Sequence, residues 1–352
     1  MTEATTNAGW RLARTPTAGW PSDGDFEWFD EAAPSPADGQ VLTRTIYLSL
    51  DPYQWGRRRS GVEQPGETCH GRTVSQVLDS RLAGYEPGDY LFNTNGWQRF
   101  GLTGEGISVF NYMFPRKIDP ADAPISTAIG VFGMLGLTAY AGCYVQCEPK
   151  AGETVVISAA SGGVGQVAGQ IAKIAGCRVV GVAGARHKCD FVVKELGFDA
   201  CVSHLDDDYA AQLAAACPDG IDIYFENVGG KTYEGVLPLL NRGSRITLCG
   251  MISQYGNTDG RNAREVWDDT GAPFFERQGV TVHGLFVGNY VADYQDEFLG
   301  RMREWLQAGR ITYREDIREG LERTPEVFAD MLRGGNFGKT LVRVSPDETR
   351  GA

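Results

Sequence analysis

The residues best suited to chemistry lie in one short turn, Ala159-Ala160-Ser161-Gly162-Gly163-Val164-Gly165. Ala160-x-Gly162-x-x-Gly165 has the spacing of a dinucleotide-binding turn, with alanine in place of the first glycine. Gly162 would let the backbone approach a pyrophosphate, and Gly165 would let a helix pack on the strand before it. The helix N-terminus then offers unpaired N–H groups to the phosphates. Ser161, Gly163 and Val164 are expected to complete this phosphate-holding loop.

Glycines in a tight turn serve purely structural ends as well, so the flanking elements decide. Thr154–Ile157 is a β-branched, apolar run that reads as a strand buried on both faces. Val167, Ile171 and Ile174 follow at helical spacing, Gly176 stops the helix, and Arg178–Ala183 reads as a second strand. This is one βαβ unit with the turn in the right place. An NAD site would place Asp or Glu at the end of the second strand, against the ribose hydroxyls. Here Gly184-Ala185-Arg186-His187-Lys188 supplies cations and no acid, which suits a 2′-phosphate and favours NADP(H). The alternative for these cations is a solvated basic helix start. A SAM site would again need an acid at the ribose.

The rest of the chain must position that turn. Residues 1 to about 120 show short strands punctuated by Gly and Pro, among them Gln40–Leu50 and Leu91–Asn93, and suggest a compact β domain of barrel type. Ile129–Gly142 reads as a Gly-rich linker into a small-residue helix. Strands and helices then alternate through Thr154–Ser158, Arg178–Ala183, Ala200–Ser203, Ile221–Glu226, Arg245–Cys249 and Thr281–Leu285. That set fills a doubly wound parallel sheet. A helix over Tyr294–Ala308, a segment Ile317–Arg333 and a strand Lys339–Val344 remain, and the last strand is expected to return to the first domain.

Composition excludes several partners. A net charge of −12 over 352 residues argues against nucleic acid or an anionic membrane surface. No apolar run is long enough for a membrane span, and the N-terminus has no apolar signal core. Eight scattered cysteines without a CxxC pair read as reduced, mostly buried thiols of a cytoplasmic protein.

Six segments in order make a more specific pattern: Tyr47–Tyr53, Gly133–Tyr140, Val164–Lys173, Glu226–Gly230, Cys249–Tyr255 and Asn336–Lys339. The chain resembles the zinc-independent medium-chain dehydrogenase/reductase superfamily, in the group of NADP-dependent alkenal/enone double-bond reductases that includes prostaglandin and curcumin reductases. The resemblance implies an α/β architecture: a GroES-like β-barrel-type domain (1–128 with 310–352) and a doubly wound Rossmann domain (129–309), with the nicotinamide in the cleft between them. It also implies a homodimer, formed through Rossmann edge strands such as Thr281–Leu285.

Position by position, the resemblance implies cofactor contacts at Thr138, at Gly184 and Lys188 for the 2′-phosphate, and at His204 beside the adenosine. Asn227 corresponds to an asparagine at the nicotinamide ribose, and Ser253 and Tyr255 border ribose and phosphates. Phe286 and Val287 would flank the nicotinamide amide, and Asn336 would close over the pyrophosphate. For Asn227, a turn-forming role before Gly229-Gly230 is the plain alternative.

Zinc is not expected. Cys69-His70 is adjacent rather than spaced for a shared metal, and Arg72 stands where the zinc branch has Glu after His-Gly. Hydride transfer must then use a carbon made electrophilic by conjugation, with a donor for the developing enolate and a proton for its α-carbon. Tyr255 and Tyr53 are the catalytic candidates, since a neutral phenol donates at pH 7; the ribose 2′-hydroxyl is a third.

Departures from the family pattern gather where substrate is expected: Gln54-Trp55, the Arg57-Arg58-Arg59 triplet, Arg72, Leu135 and a polar loop over Gly256–Asp269. The triplet reads as a solvated face. Tyr53 and Arg72 are candidate substrate contacts, with Arg72 serving either an acidic substrate or an internal Asp or Glu. The expected reaction is NADPH-dependent reduction of the C=C bond of an enal or enone. A quinone reductase and a non-catalytic NADPH-binding sensor are the alternatives.

Overall fold

A computed structural model describes residues 6–108 and 113–350. The chain divides into two compact units: one holds the described residues up to Gly133, Asp316–Asn336 and those from Thr340 on, the other Met134–Glu315 and Phe337–Lys339.

The first unit is built on antiparallel sheets. β1 (Thr6–Leu12) and β2 (Phe26–Ala32) form a hairpin that sequence patterning did not reveal. The main sheet runs β14 (Glu315–Glu319), β15 (Lys339–Arg343), β3 (Gln40–Ser49), β4 (Thr73–Ser80), β5 (Tyr90–Asn93) and β7 (Arg116–Ile118), with β6 (Phe100–Gly104) also on β3. The terminal strand does return here: Leu341 pairs with Ser49 and Arg343 with Tyr47, antiparallel. Ile46, Tyr47, Val74, Phe92, Ile125 and Leu341 form its core. Asp51-Pro52 turns out of β3 into a short helix, α1 (Tyr53–Arg59).

α2 (Met134–Ala139) opens the second unit and continues as a π-helix over Tyr140–Gln146. Its parallel sheet has the order β10 (Ala200–Ser203), β9 (Arg178–Ala183), β8 (Thr154–Ser158), β11 (Ile221–Glu226), β12 (Leu240–Leu248), β13 (Thr281–Gly284). The strand order reverses between β8 and β11, the place where ligands of such sheets bind. All of β8 is buried, because helices cover both faces. Those helices are α3 (Gly165–Ile174), α4 (Arg186–Lys194), α5 (Tyr209–Ala216), α6 (Gly230–Val236), α7 (Ala263–Gln278) and α8 (Gly288–Gln307). α9 (Thr324–Leu332) belongs to the first unit.

Two readings are corrected. Gly256–Asp269 is not a polar loop throughout: from Ala263 it is helical, capped by the Asn262 side chain, which accepts from the Arg264 and Glu265 N–H groups. Trp267, inside that supposed loop, is buried and stacks on Tyr233 with ring centroids 4.6 Å apart. The Arg57–Arg59 triplet is not a solvated face either. Arg58 is fully buried, pairs with Glu63 at 3.2 Å and lies 4.3 Å from the Trp97 ring centroid. Of the three consecutive arginines in this seven-residue helix, Arg58 is the buried one, and Arg57 and Arg59 are half-buried.

No helix among the described residues is long and apolar enough to cross a membrane. All eight cysteines are free.

Candidate functional site

The phosphate turn follows β8. Ala159 takes positive φ (49°), a conformation that costs energy in a residue with a Cβ and recurs at ligand sites. Gly165 is required by packing: a Cβ there would stand 2.3 Å from the Ala159 carbonyl oxygen. At Gly163 a Cβ would meet Leu135 Cδ2 at 2.4 Å, so this glycine is also spoken for by the protein. Gly162 is less constrained, its nearest neighbour being the Ala159 oxygen at 3.1 Å. Ser161 is buried, and Val164 precedes the first turn of α3.

Gly184 immediately follows β9, with nothing nearer its absent Cβ than His204 Nε2 at 3.7 Å. Protein packing therefore does not demand glycine there, and the space is consistent with a ligand group. Lys188 lies in the first turn of α4, where the helix dipole adds to its charge in favouring an anion. His204 follows β10, its backbone N–H donating to the Ala183 carbonyl. Burial and the Lys231 and Lys188 cations hold its imidazole pKa below the ordinary value, so it is neutral at pH 7.

Asn227 immediately follows β11. Its backbone N–H donates to Ser158 Oγ and its Nδ2 to the Ser158 carbonyl, each at 2.7 Å. Ser253, past β12, donates to the Val228 carbonyl at 2.6 Å and lies 3.3 Å from where a Gly230 Cβ would be. The structure thus brings Asn227, Ser253 and Gly229-Gly230 together. Phe286 and Val287 follow β13; Val287 is buried, whereas Phe286 leaves 56% of its surface exposed. Asn336 immediately precedes Phe337, whose ring packs edge-on to His187 and Phe191 and under the Arg314 guanidinium.

Glu226 escaped sequence reasoning, although an acid after the apolar run Ile223–Phe225 marked it. It is fully buried, and its Oε1 accepts from Tyr224 OH (2.9 Å), Val228 N (2.7 Å), Gly229 N (3.0 Å) and Ser158 Oγ (3.2 Å). Burial raises its carboxyl pKa while these donors pull it down. The acid thereby fixes the loop that carries Asn227.

In the first unit, Tyr53 starts α1 and its hydroxyl lies 2.8 Å from His70 Nε2. Arg72 has a side chain 1% exposed and pairs with Asp51 at 2.8 Å, an internal acid of the kind the sequence left open as its partner. Tyr255 is half-buried, its oxygen hydrogen-bonded by the Met251 N–H, and burial raises its phenol pKa. It is a neutral donor at pH 7. Its hydroxyl stands 3.1 Å from where a Gly250 Cβ would be.

These residues fit NADP(H). Thr138 Oγ1 is buried without a hydrogen-bond partner, as expected of a group that awaits a ligand. Fold and turn define a dinucleotide-binding unit of the Rossmann class. Residues 163–304 match the family described as "Zinc-binding dehydrogenase", and 8–109 match "N-terminal domain of oxidoreductase". The NADPH-dependent curcumin reductase of Escherichia coli K12 is 40% identical over 97% of this chain and 98% of its own. A tobacco (Nicotiana tabacum) 2-alkenal reductase (NADP(+)-dependent) is 38% identical over 87% of each chain. The crystal structure of CurA from Vibrio vulnificus in complex with NADPH is 39% identical, with a TM-score of 0.87 over 97% of this chain and 100% of that one. The chain belongs to the medium-chain dehydrogenase/reductase superfamily, in the group of NADP-dependent alkenal and enone double-bond reductases.

Among the described residues no three His, Cys, Asp or Glu side chains gather as a metal site. Cys69 is buried beside the Arg58 guanidinium, and His70 Nε2 is engaged with Tyr53.

Proposed function

We propose that this chain reduces the C=C bond of α,β-unsaturated aldehydes and ketones with NADPH, without zinc. A hydride adds to the β-carbon and a proton to the α-carbon, giving the saturated carbonyl compound and NADP⁺. The observation that carries this reading is near full-length likeness, at 38–40% identity, to two NADP-dependent reductases named for such substrates.

Ser161 and Gly162–Gly165 would hold the pyrophosphate, with Asn336 closing over it. Gly184 and Lys188 would take the 2′-phosphate, and His204 would lie beside the adenosine. Asn227 and Ser253 would hold the nicotinamide ribose, with Thr138, Phe286 and Val287 at the amide. NADPH supplies the hydride when bound. The chain's own contribution is orientation and a donor for the oxygen that becomes negative, a role for which Tyr255 and Tyr53 are suited. Eight free thiols suit a reducing cytoplasm. β13 ends its sheet, and pairing there with a second copy would give the expected homodimer.

The test follows NADPH absorbance with 2-alkenals, enones, unsaturated acids and quinones. Fast turnover of enals and enones that survives prolonged chelation is expected. Turnover of quinones alone would make the chain a quinone reductase. NADPH binding without any turnover would make it a sensor.

A further inference from the structure

We propose that Cys189 and Cys201 form a redox modification site: a hydroperoxide joins the two thiols in a disulfide, and that bond weakens NADPH binding at the turn after β9. The effect on affinity rests on the reading of Gly184 and Lys188 as contacts for the 2′-phosphate.

The two side chains meet under the start of α4. Cys201, on β10, pairs in register with Gly181 of β9. A Cβ at Gly181 would stand 3.2 Å from Cys201 Sγ and 2.9 Å from Val192 Cγ1, so that sulfur lies on the face of the sheet that α4 covers. Cys189 precedes Val192 by three positions on α4 and shares its inward face. There the Cys201 S–H donates to the Cys189 sulfur, and both thiols reach the Ala183 backbone. Both residues keep part of their surface in solvent, so a small oxidant reaches them.

The pair is chemically matched. The hydrogen bond from Cys201 and the Ala183 backbone hold the Cys189 thiol below the ordinary cysteine value, against burial and the Asp206 and Asp190 carboxylates. The same hydrogen bond and burial hold Cys201 above it, so Cys201 keeps its proton. A thiolate-forming cysteine beside a protonated one is the arrangement that senses peroxide. The Cys189 thiolate attacks the O–O bond and takes one oxygen as S–OH, while the other oxygen leaves as an alcohol or water. The Cys201 sulfur then displaces that hydroxyl. The S–S bond forms, and the Cys201 proton leaves with the hydroxyl as water. Two thiols lose two electrons, and the peroxide gains them. The remaining cysteines are less suited: Cys69, Cys143, Cys147, Cys177 and Cys217 are buried, and burial pushes the Cys249 thiol up to about 12.

Both thiols border the segment that distinguishes NADP(H) from NAD(H). Cys189 directly follows Lys188, and Cys201 stands three residues before His204. Ser203 Oγ donates to the Gly184 carbonyl, and the His204 N–H donates to that of Ala183 at 3.0 Å, tying the turn after β9 to β10. An S–S bond of about 2.05 Å is shorter than any contact of unbonded sulfurs. Forming it draws the first turn of α4 onto β10 and shifts Lys188 against Gly184.

The test treats the full-length protein with hydrogen peroxide, alkylates the remaining thiols and maps peptides by mass spectrometry without reduction. A Cys189–Cys201 cross-link, two hydrogens lighter than the separate peptides and cleaved by dithiothreitol, is expected before any other thiol is oxidised. The Kd for NADPH, read by fluorescence, should rise about tenfold, the order of one weakened charge-assisted contact, and return on reduction. Cys189→Ser and Cys201→Ser should each lose this response, and the wild-type cross-link with its reversal decides the case even where a serine variant folds poorly. Absence of the cross-link, a cross-link that leaves the Kd unchanged, or a response that persists in both serine variants would each overturn the proposal. If Lys188→Ala leaves the untreated Kd unchanged, the 2′-phosphate reading fails and the coupling with it, whereas a missing cross-link in a protein that needs Lys188 refutes the thiol pair alone.

Discussion

Ser158 and Asn227 hold each other by two hydrogen bonds of 2.7 Å, backbone N–H to Ser158 Oγ and Nδ2 to the Ser158 carbonyl. Ser158 ends β8 and Asn227 immediately follows the neighbouring strand β11, on either side of the point where strand order reverses. The Nδ2 bond to the Ser158 carbonyl fixes which way the Asn227 amide faces, and its side-chain oxygen would be the group to accept from a ribose hydroxyl if the residue holds the cofactor.

Asn227→Asp tests that orientation. The oxygen that replaces Nδ2 would face the Ser158 carbonyl, so the side chain must turn and lose its hold. NADPH affinity is expected to fall about tenfold, the order of one or two lost hydrogen bonds. Titration of NADPH fluorescence measures it, and unchanged affinity would leave Asn227 a turn residue only.

Cofactor choice is expected to rest on Lys188. Loss of a charge-assisted phosphate contact costs about 1.5–3 kcal/mol, so Lys188→Ala should raise the KM for NADPH roughly ten- to a hundredfold. The KM for NADH should move little, since NADH has no 2′-phosphate. Equal changes in both would remove the assignment.

Two histidines predict an acid limb in stability. His70 is held well below the ordinary histidine pKa of 6.5 by burial and by Arg72, Arg57 and Arg58, and His204 is lowered by burial, Lys231 and Lys188. A depressed folded-state pKa means that the unfolded chain takes up protons first as pH falls. Their stabilising contribution is therefore full above pH about 6.5 and declines below it. His70→Gln should flatten the dependence of Tm on pH in that window; an unchanged acid limb would show that His70 does not contribute.

Arg72 and Asp51 form a buried pair, their side chains 1% and 3% exposed. Arg72→Met strands a buried carboxylate and is expected to destabilise the protein by about 3–5 kcal/mol, measured by urea unfolding. Arg72→Met with Asp51→Asn should recover part of that loss. Unsaturated keto-acids should show no advantage over matched neutral enones in the wild type, and a preference abolished by Arg72→Met would return Arg72 to substrate binding.

What the residues disclosed by themselves is local. The β8–turn–α3–β9 unit was legible because a strand buried on both faces, a glycine turn and a helix leave their marks within about thirty neighbouring residues. The absence of an acid after β9, with Lys188 following, pointed to NADP(H) in the same way, since one strand end and one helix start make that choice. The return of β15 to the first unit could be read from a strand left over after the parallel sheet was filled.

Tertiary structure decided what depends on distant partners. Asp51 and Arg72 are 21 residues apart, and only the antiparallel register of β3 on β4 brings them together as an internal ion pair. Arg58 looked solvated because three consecutive arginines carry no apolar pattern, yet Glu63 and three aromatic rings from separate segments enclose it. Glu226 was one acid at a strand end until the fold set Tyr224, Ser158 and two backbone N–H groups around it. Burial and pairing are properties of a side chain's whole surroundings, whereas periodicity and turn chemistry are properties of its neighbours in the chain; the first kind exists only once the chain has folded.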